Sequence, residues 1–562
     1  MPFFSASCAG DISSLGSGLQ LQTGSRQDAF TCQDDAPPPR ALQRLSHTQY
    51  ENTVHDLILA ALPRHATDVE AVVKAALVLL PADAVGKDAP FSSMDQSVSQ
   101  EHVDGWFAVG QAVASALTAH LDELLACDTG EAETACVHRF LARFGRLAFR
   151  HTPNAAELAF LHELYETSDS LRDVLGVMLN MPQFLYQLEF GGNARKGKRD
   201  TYTVTGPELA SRLAYQLWQT APDDALLARA ERGELESSYE RVVDAMLDDP
   251  RSERSTRAFV REWLDLDSMR PLDALVGNAA FDAFVGKDTP TAALRDAMID
   301  DVLDSFQYHL GQDDAWEDWF QSPYSFARDD ELAAIYGVPK WNDDGREPPR
   351  FAQAQRAGLI TRAALLATGT AKTRPIIKGV FIRQRILCDA LPPPPANATS
   401  IPPALANTMS TREVVEELTE KTGSACAACH GTRINPLGFA TENYDALGRL
   451  RTKETLYGED GSILAEKPVD TASVPDVTER NTEVSRGAAD LSDQIVRSGK
   501  GEACFARQFV RFAQGRMEDE RIDGCALESI RSALAEQKSL RQAVRAPLLA
   551  PTFRQRQLGD VQ

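Results

Sequence analysis

Cys426, Cys429 and His430 stand in Cys-x-x-Cys-His spacing inside "ACAACHGTRINPLGFATENYDALGR", residues 425–449. Two thiols so spaced can add across the vinyl groups of a haem. The adjacent imidazole then lies under the ring and supplies the proximal ligand to iron. Other chemistries compete for the same residues. A thioredoxin-like redox pair wants a strand before the motif, and a helical pattern precedes this one. A structural zinc site needs four ligands, and no second Cys/His pair of suitable spacing is present. A disulfide across two intervening residues would be strained. The motif therefore points to one covalent haem c, attached at Cys426 and Cys429, with iron held by His430.

The other face of the iron is less determined. No Met lies between His430 and Met517, and no His follows His430. Met409 lies upstream, Met178 and Met181 belong to an apolar stripe, and Met517 qualifies only if the C-terminal segment folds back over the haem. The sixth position is thus filled from another domain or left open, and an open iron permits peroxide chemistry. Lys372, Arg374 and Lys378 of "TGTAKTRPIIKG", with Arg433 and Arg449, are candidate partners for the haem propionates, because a guanidinium matches a carboxylate in shape. Each also reads as an ordinary surface charge. Pro436 and Phe439 of "INPLGF" are expected to pack on the haem face and exclude water.

The elements that must position these residues read as helices. "SLRDVLGVMLN" places Leu171, Val174, Leu175, Met178 and Leu179 on one face. Thr205 and Glu208, like Ser410 and Glu413, have capping-box spacing. Pro222 with Asp223 and Asp224 opens a helix that Gly233 stops. A β-hairpin is expected around Asp460-Gly461. An internal duplication relates Cys136–Arg146 to Cys504–Arg516 and Ser170–Phe184 to Ser539–Phe553. The expected fold is mainly α: a multi-domain helical assembly with a small cytochrome c-like haem domain. Its segments are a tether over 1–40, a helical domain over 41–125 and a first repeat unit over 126–195. A central helical domain over 196–345, a haem domain with a Pro-rich linker over 346–480 and a second repeat unit over 481–562 complete it.

A chain of 562 residues predicts several cores, and 43% hydrophobic residues can fill them. The net charge of -23 would repel a phosphate backbone, so nucleic acid is excluded as a partner. No apolar run reaches the ~18–20 residues of a spanning helix. "SASC", ending at Cys8, resembles the end of a bacterial lipoprotein signal. Cys8 is a candidate lipid anchor or, equally, an ordinary cysteine in a loose N-terminus. Six further cysteines suit disulfides and an oxidising compartment. Cys127–Cys136 and Cys504–Cys525 are the pairs expected from neighbourhood, Cys32 and Cys388 are left over for each other, and six buried thiols are the alternative.

The motif segment resembles that of large secreted bacterial proteins assembled from domains of unknown function. Those domains are numbered fifteen-eighty-seven, fifteen-ninety-five, fifteen-ninety-two, fifteen-eighty-eight and fifteen-eighty-five, in that order along the chain. "RLSHTQYENTVHDLI" is similar to the first and "RFGRLAFRHTPNAAEL" through "MPQFLYQLE" to the second. "YTVTGPELASRLAYQLWQTAPDDALL" is similar to the third. "RAGLITRAALLATGTAKTRPIIKGVFI" with the haem motif resembles the fourth, and "CFARQFVRFAQGR" through "PTF" the fifth. The resemblance implies an exported, periplasmic or outer-membrane-associated, c-type cytochrome-like protein. Electron transfer to an unidentified redox partner is the first expectation. A peroxidase-type haem enzyme and a surface or polymer-binding protein with a structural or sensory haem are the alternatives. Two positions depart from the family pattern: Asn435 stands where Asp is frequent, and Lys421 stands about where many members carry His.

Overall fold

The apolar stripes and caps read from the sequence become helices, and the computed structural model is 57% helical, which makes the fold mainly α. It describes residues 30–32, 42–86, 89–195, 200–352, 356, 358–393, 405–424, 426–479 and 481–557. Cys8, nearly all of the expected tether and residues 394–404 of the Pro-rich linker lie outside them. Among the described residues the sheets are three two-stranded antiparallel pairs. Leu171, Val174, Leu175, Met178 and Leu179 are all buried. Thr205 with Glu208 and Ser410 with Glu413 form reciprocal capping boxes. Asp223 accepts a bond from the Leu226 amide, and Gly233 takes a positive φ of 71° where the following turn needs one. The hairpin joins Lys453–Tyr457 to Ile463–Pro468, and Asp460 Oδ1 accepts from the Ser462 amide across its turn.

The chain forms two compact units, each assembled from separated stretches. Of the described residues, the motif unit comprises Phe30 and those within 260–508 and 530–543; the other comprises those within 31–259, 509–529 and 544–557. In the second unit, helices such as His47–Ala61, Gln100–Thr118 and Glu133–Phe149 bury Tyr50, Trp106, Val113, Phe140 and Phe144 in one core. The duplication is visible locally. Ser170 and Ser539 each accept a bond from the amide three residues on. Each copy then runs through a short turn opened by Pro182 or Pro551 into a short strand, Tyr186–Gln187 or Gln555–Gln557. Arg150 donates to the Phe184 carbonyl, and Arg212 donates to that of the equivalent Phe553. A buried guanidinium thus pins the end of each copy, satisfying carbonyls that a helix terminus leaves open.

Three disulfides join described cysteines. Cys127–Cys136 is present as expected. The other two expected pairs are corrected: the bonds are Cys32–Cys525 and Cys388–Cys504. Sequence neighbourhood misled because Cys504 and Cys525, though near in the chain, belong to different units. Peptide mapping without reduction should recover Cys32 linked to Cys525 and Cys388 linked to Cys504. Recovery of a Cys504–Cys525 peptide would contradict this connectivity.

The motif unit is held by buried charges as well as by apolar packing. Arg362 and Asp301 pair at 3.1 Å, both essentially fully buried, and Asp301 also accepts from the Tyr336 hydroxyl and the Phe326 amide. Asp389 lies between Arg383 at 2.9 Å and Lys500 at 2.7 Å, next to the Cys388–Cys504 bridge. Such groups are tolerated in a core only when every charge has a partner.

Candidate functional site

The haem-type motif lies on a stretch of broken helix. Ala427–Cys429 is one short turn, His430–Ile434 is a widened π-helical turn, and Asn435–Phe439 resumes the α-helix. Pro436 explains the break. It has no amide hydrogen to donate to the carbonyl four residues back, so the turn before it widens.

Across this stretch runs the helix Pro375–Phe381, and the two backbones touch at two glycines. A Cβ on Gly379 would lie 2.0 Å from the Ile434 carbonyl oxygen, and one on Gly438 would lie 1.9 Å from the Pro375 carbonyl oxygen. No other residue fits at either position without displacing backbone. Arg383, just beyond that helix, donates from Nε to the Arg433 carbonyl at 2.9 Å and to the Pro475 and Asp476 carbonyls. The buried Asp389 node therefore holds the π-turn in place through Arg383.

His430 is half-buried, and its Nδ1 lies 3.1 Å from Asn435 Oδ1. The orientation of Asn435 follows from its other bonds. Its Nδ2 donates to Thr419 Oγ1 at 2.9 Å and to Glu420 Oε1 at 2.7 Å, at the end of the helix Thr411–Thr419. The amide oxygen must then face the imidazole, so Nδ1 carries the proton and donates. Nε2 is left with its lone pair, the form in which histidine binds a metal.

Burial lowers the pKa of His430, against the opposing effects of Asn435 and the Glu420 charge. The folded chain thus prefers the neutral ring. Below the ordinary histidine value of 6.5 the unfolded chain takes a proton that the folded chain resists, so this group's contribution is present above pH 6.5 and lost as pH falls. An NMR titration of His430 in haem-free protein should give a midpoint below 6.5, and a midpoint at or above it would contradict this environment.

The two sulfurs differ. Cys429 is partly exposed and is the free thiol among the described residues. Cys426 is buried at 3% exposure and is disulfide-bonded.

The other expected residues lie as follows. Pro436 is buried, and its carbonyl accepts from Ser473 Oγ. Phe439 is 2% exposed, with the Arg412 guanidinium 4.5 Å above its ring. Arg449 bonds to Asp445, Asp288 and the carbonyls of Phe284 and Val285, tying the loop after the motif to residues 284–288. Lys378 is buried beside Glu442, at 3.8 Å. Arg374 lines a cavity to which the Cys426–His430 segment does not contribute. Met178 is fully buried in the core of the second unit, and Met517 is 41% exposed.

Asn435 stood out in the sequence only as a departure from a family pattern, and its role in fixing the His430 tautomer was not foreseen. Arg383, Gly379 and Gly438 were not singled out. The one available signal was a glycine within each short helix, which marks close backbone approach because it otherwise costs helix stability.

Asn435→Leu should cost about 1–3 kcal/mol by leaving Thr419 and Glu420 without their donor. It should also reduce haem retention by roughly 10–100-fold, the usual effect of removing a ligand's orienting partner. Chemical denaturation and haem content per chain measure both, and a variant indistinguishable from wild type would contradict the tautomer argument.

Two family models match the chain. Residues 356–454 match PSCyt3, described as a protein of unknown function (DUF1588), and residues 204–338 match PSD4, likewise of unknown function (DUF1592). No curated protein and no solved structure matches. The first match covers the helix Pro375–Phe381, the motif and the first strand residues of the hairpin. The two matches stand in the order that the sequence resemblance implies.

Proposed function

We propose that the protein is an exported c-type cytochrome-like carrier of one covalent haem, serving electron transfer. The observation that carries this reading is the His430–Asn435 bond, which leaves Nε2 free to bind a metal directly after a Cys-x-x-Cys pair. The residues fit the group: Cys429 offers a free thiol, Cys426 offers a second sulfur once reduced, and His430 is held in the ligating tautomer. Bound there, haem iron would supply a one-electron couple. The chain's part is to orient His430 through Asn435 and to hold the π-turn rigid through Arg383 and the two glycine contacts. Rigid ligation keeps the geometry similar in both oxidation states, which suits electron transfer. Three disulfides support an oxidising, extracytoplasmic setting.

Redox cycling tests the functional half of the proposal. Haem-loaded protein should return to the same spectrum after repeated reduction and reoxidation and should not turn over peroxide. Sustained peroxide consumption would replace electron transfer by peroxidase chemistry.

A further inference from the structure

The helix Pro375–Phe381 has two working faces. Pro375 and Gly379 meet the motif, as described above. Arg374, at its N-terminal boundary, and Ile377, Lys378 and Phe381 instead line an open cavity of about 170 Å³, bounded on the far side by 264–266, 268–270 and 364–368. At ~30 Å³ per water, that is room for roughly six waters or a small organic molecule.

The charge on this cavity is unbalanced. Arg270 and Arg374 both line it, and neither makes an ion pair with a carboxylate of the described residues. Three other arginines of this unit, Arg362, Arg383 and Arg449, each pair with an aspartate, whereas the buried Arg356 bonds to carbonyls and packs on aromatic rings. Arg374 is only partly exposed, and its charged form is disfavoured first by burial and then by Arg270 itself. Arg270 is exposed, so water screens part of its repulsion on the half-buried Arg374, and no carboxylate of the described residues offsets the rest. Lys378 is balanced by Glu442, so the excess rests on the two arginines. Asp265 lines the cavity too but is exposed and pairs with neither. The rest of the lining is largely apolar, including Leu264, Leu366 and Phe381. The larger cavity of the second unit, about 440 Å³, contrasts with this one: its arginines, Arg251 and Arg254, are paired with Asp223, Asp249 and Asp56.

We infer that this cavity is a binding site for a small organic carboxylate, with the anion between Arg270 and Arg374 and a short hydrocarbon tail against the apolar lining. A guanidinium pair matches a carboxylate's two oxygens, and inorganic phosphate would leave the apolar lining without a partner. The site lies on the face of the Pro375–Phe381 helix away from the motif, so it is separate from the haem proposal.

Butyrate binding to the full-length chain, followed by saturation-transfer NMR and calorimetry, tests the inference, with butyramide as the neutral isostere and phosphate as the tailless anion. Butyrate should bind at one site per chain, at least tenfold more tightly than either control. Arg270→Gln, at an exposed position that should not disturb folding, and Arg374→Gln should each weaken binding about fivefold or more, and together abolish it. No butyrate binding, equal binding of butyramide, tighter binding of phosphate, or full binding by the double variant would overturn the inference. Binding to haem-free Cys426→Ala/Cys429→Ala protein but not to haem-loaded protein would also overturn it, because the arginines would then hold the haem propionates. Failure of the haem proposal shows separately, in the haem content of the wild-type chain.

Discussion

Gly438→Ala should destabilise the motif unit by about 3 kcal/mol or more. Helix propensity alone predicts the opposite sign, a gain of about 1 kcal/mol on replacing a helical glycine by alanine. The structure reverses that expectation because the new methyl group would lie 1.9 Å from the Pro375 carbonyl oxygen. A flexible side chain could move aside, but a carbonyl fixed at the start of a helix cannot. Gly379→Ala meets the same obstacle at the Ile434 carbonyl, 2.0 Å away. Both variants should shift the denaturation midpoint downward and lower haem incorporation, because the π-turn that carries His430 is the segment forced away. A midpoint equal to or above that of the wild type would show that the two backbones do not touch.

Asp389→Ala should cost a further class of stability, about 3–5 kcal/mol, the usual penalty for leaving buried charge unpaired. Asp389 is the shared partner of Arg383 and Lys500, all three of them nearly inaccessible to water. Removing it leaves two cations in the core, and the first of them is the residue that grips the Arg433 carbonyl. The predicted result is a large fall in denaturation midpoint together with a loosened His430, read as faster hydrogen exchange across 430–434. The Cys388–Cys504 bridge next door limits how far the chain can separate, so the loss should deepen when that bridge is reduced. A loss under about 1 kcal/mol would mean that the node is solvated and carries little of the structure.

Local features were legible in the sequence because their physics is local. The Ser410–Glu413 and Thr205–Glu208 boxes, the Leu171–Leu179 stripe, the Asp460-Gly461 hairpin and the Cys127–Cys136 bridge all close within a few residues. Cys-x-x-Cys-His could be singled out as a haem-type motif from spacing alone for the same reason. What was not legible depends on distant chain segments meeting. Cys32 finds Cys525 across 493 residues, and Cys388 finds Cys504 across 116. Arg383 and Arg433 are ordinary charges in sequence, and only the fold brings the guanidinium of one to the carbonyl of the other. Arg374 was a candidate partner for haem propionates by its charge, and only the fold shows that it lines a cavity to which the Cys426–His430 segment does not contribute. Asn435 is the intermediate case. It was visible as an unusual residue, but its function emerged only when Thr419 and Glu420 fixed which way its amide points.

The most direct measurement is a pyridine haemochrome spectrum of the full-length chain produced alongside a cytochrome c maturation system, taken before and after acidified-solvent extraction. The account predicts one haem per chain, with the spectrum of a haem whose two vinyl groups are both saturated, that stays with the protein through extraction and is lost in Cys426→Ala/Cys429→Ala. Haem that extracts freely, or a chain that carries none, would contradict it.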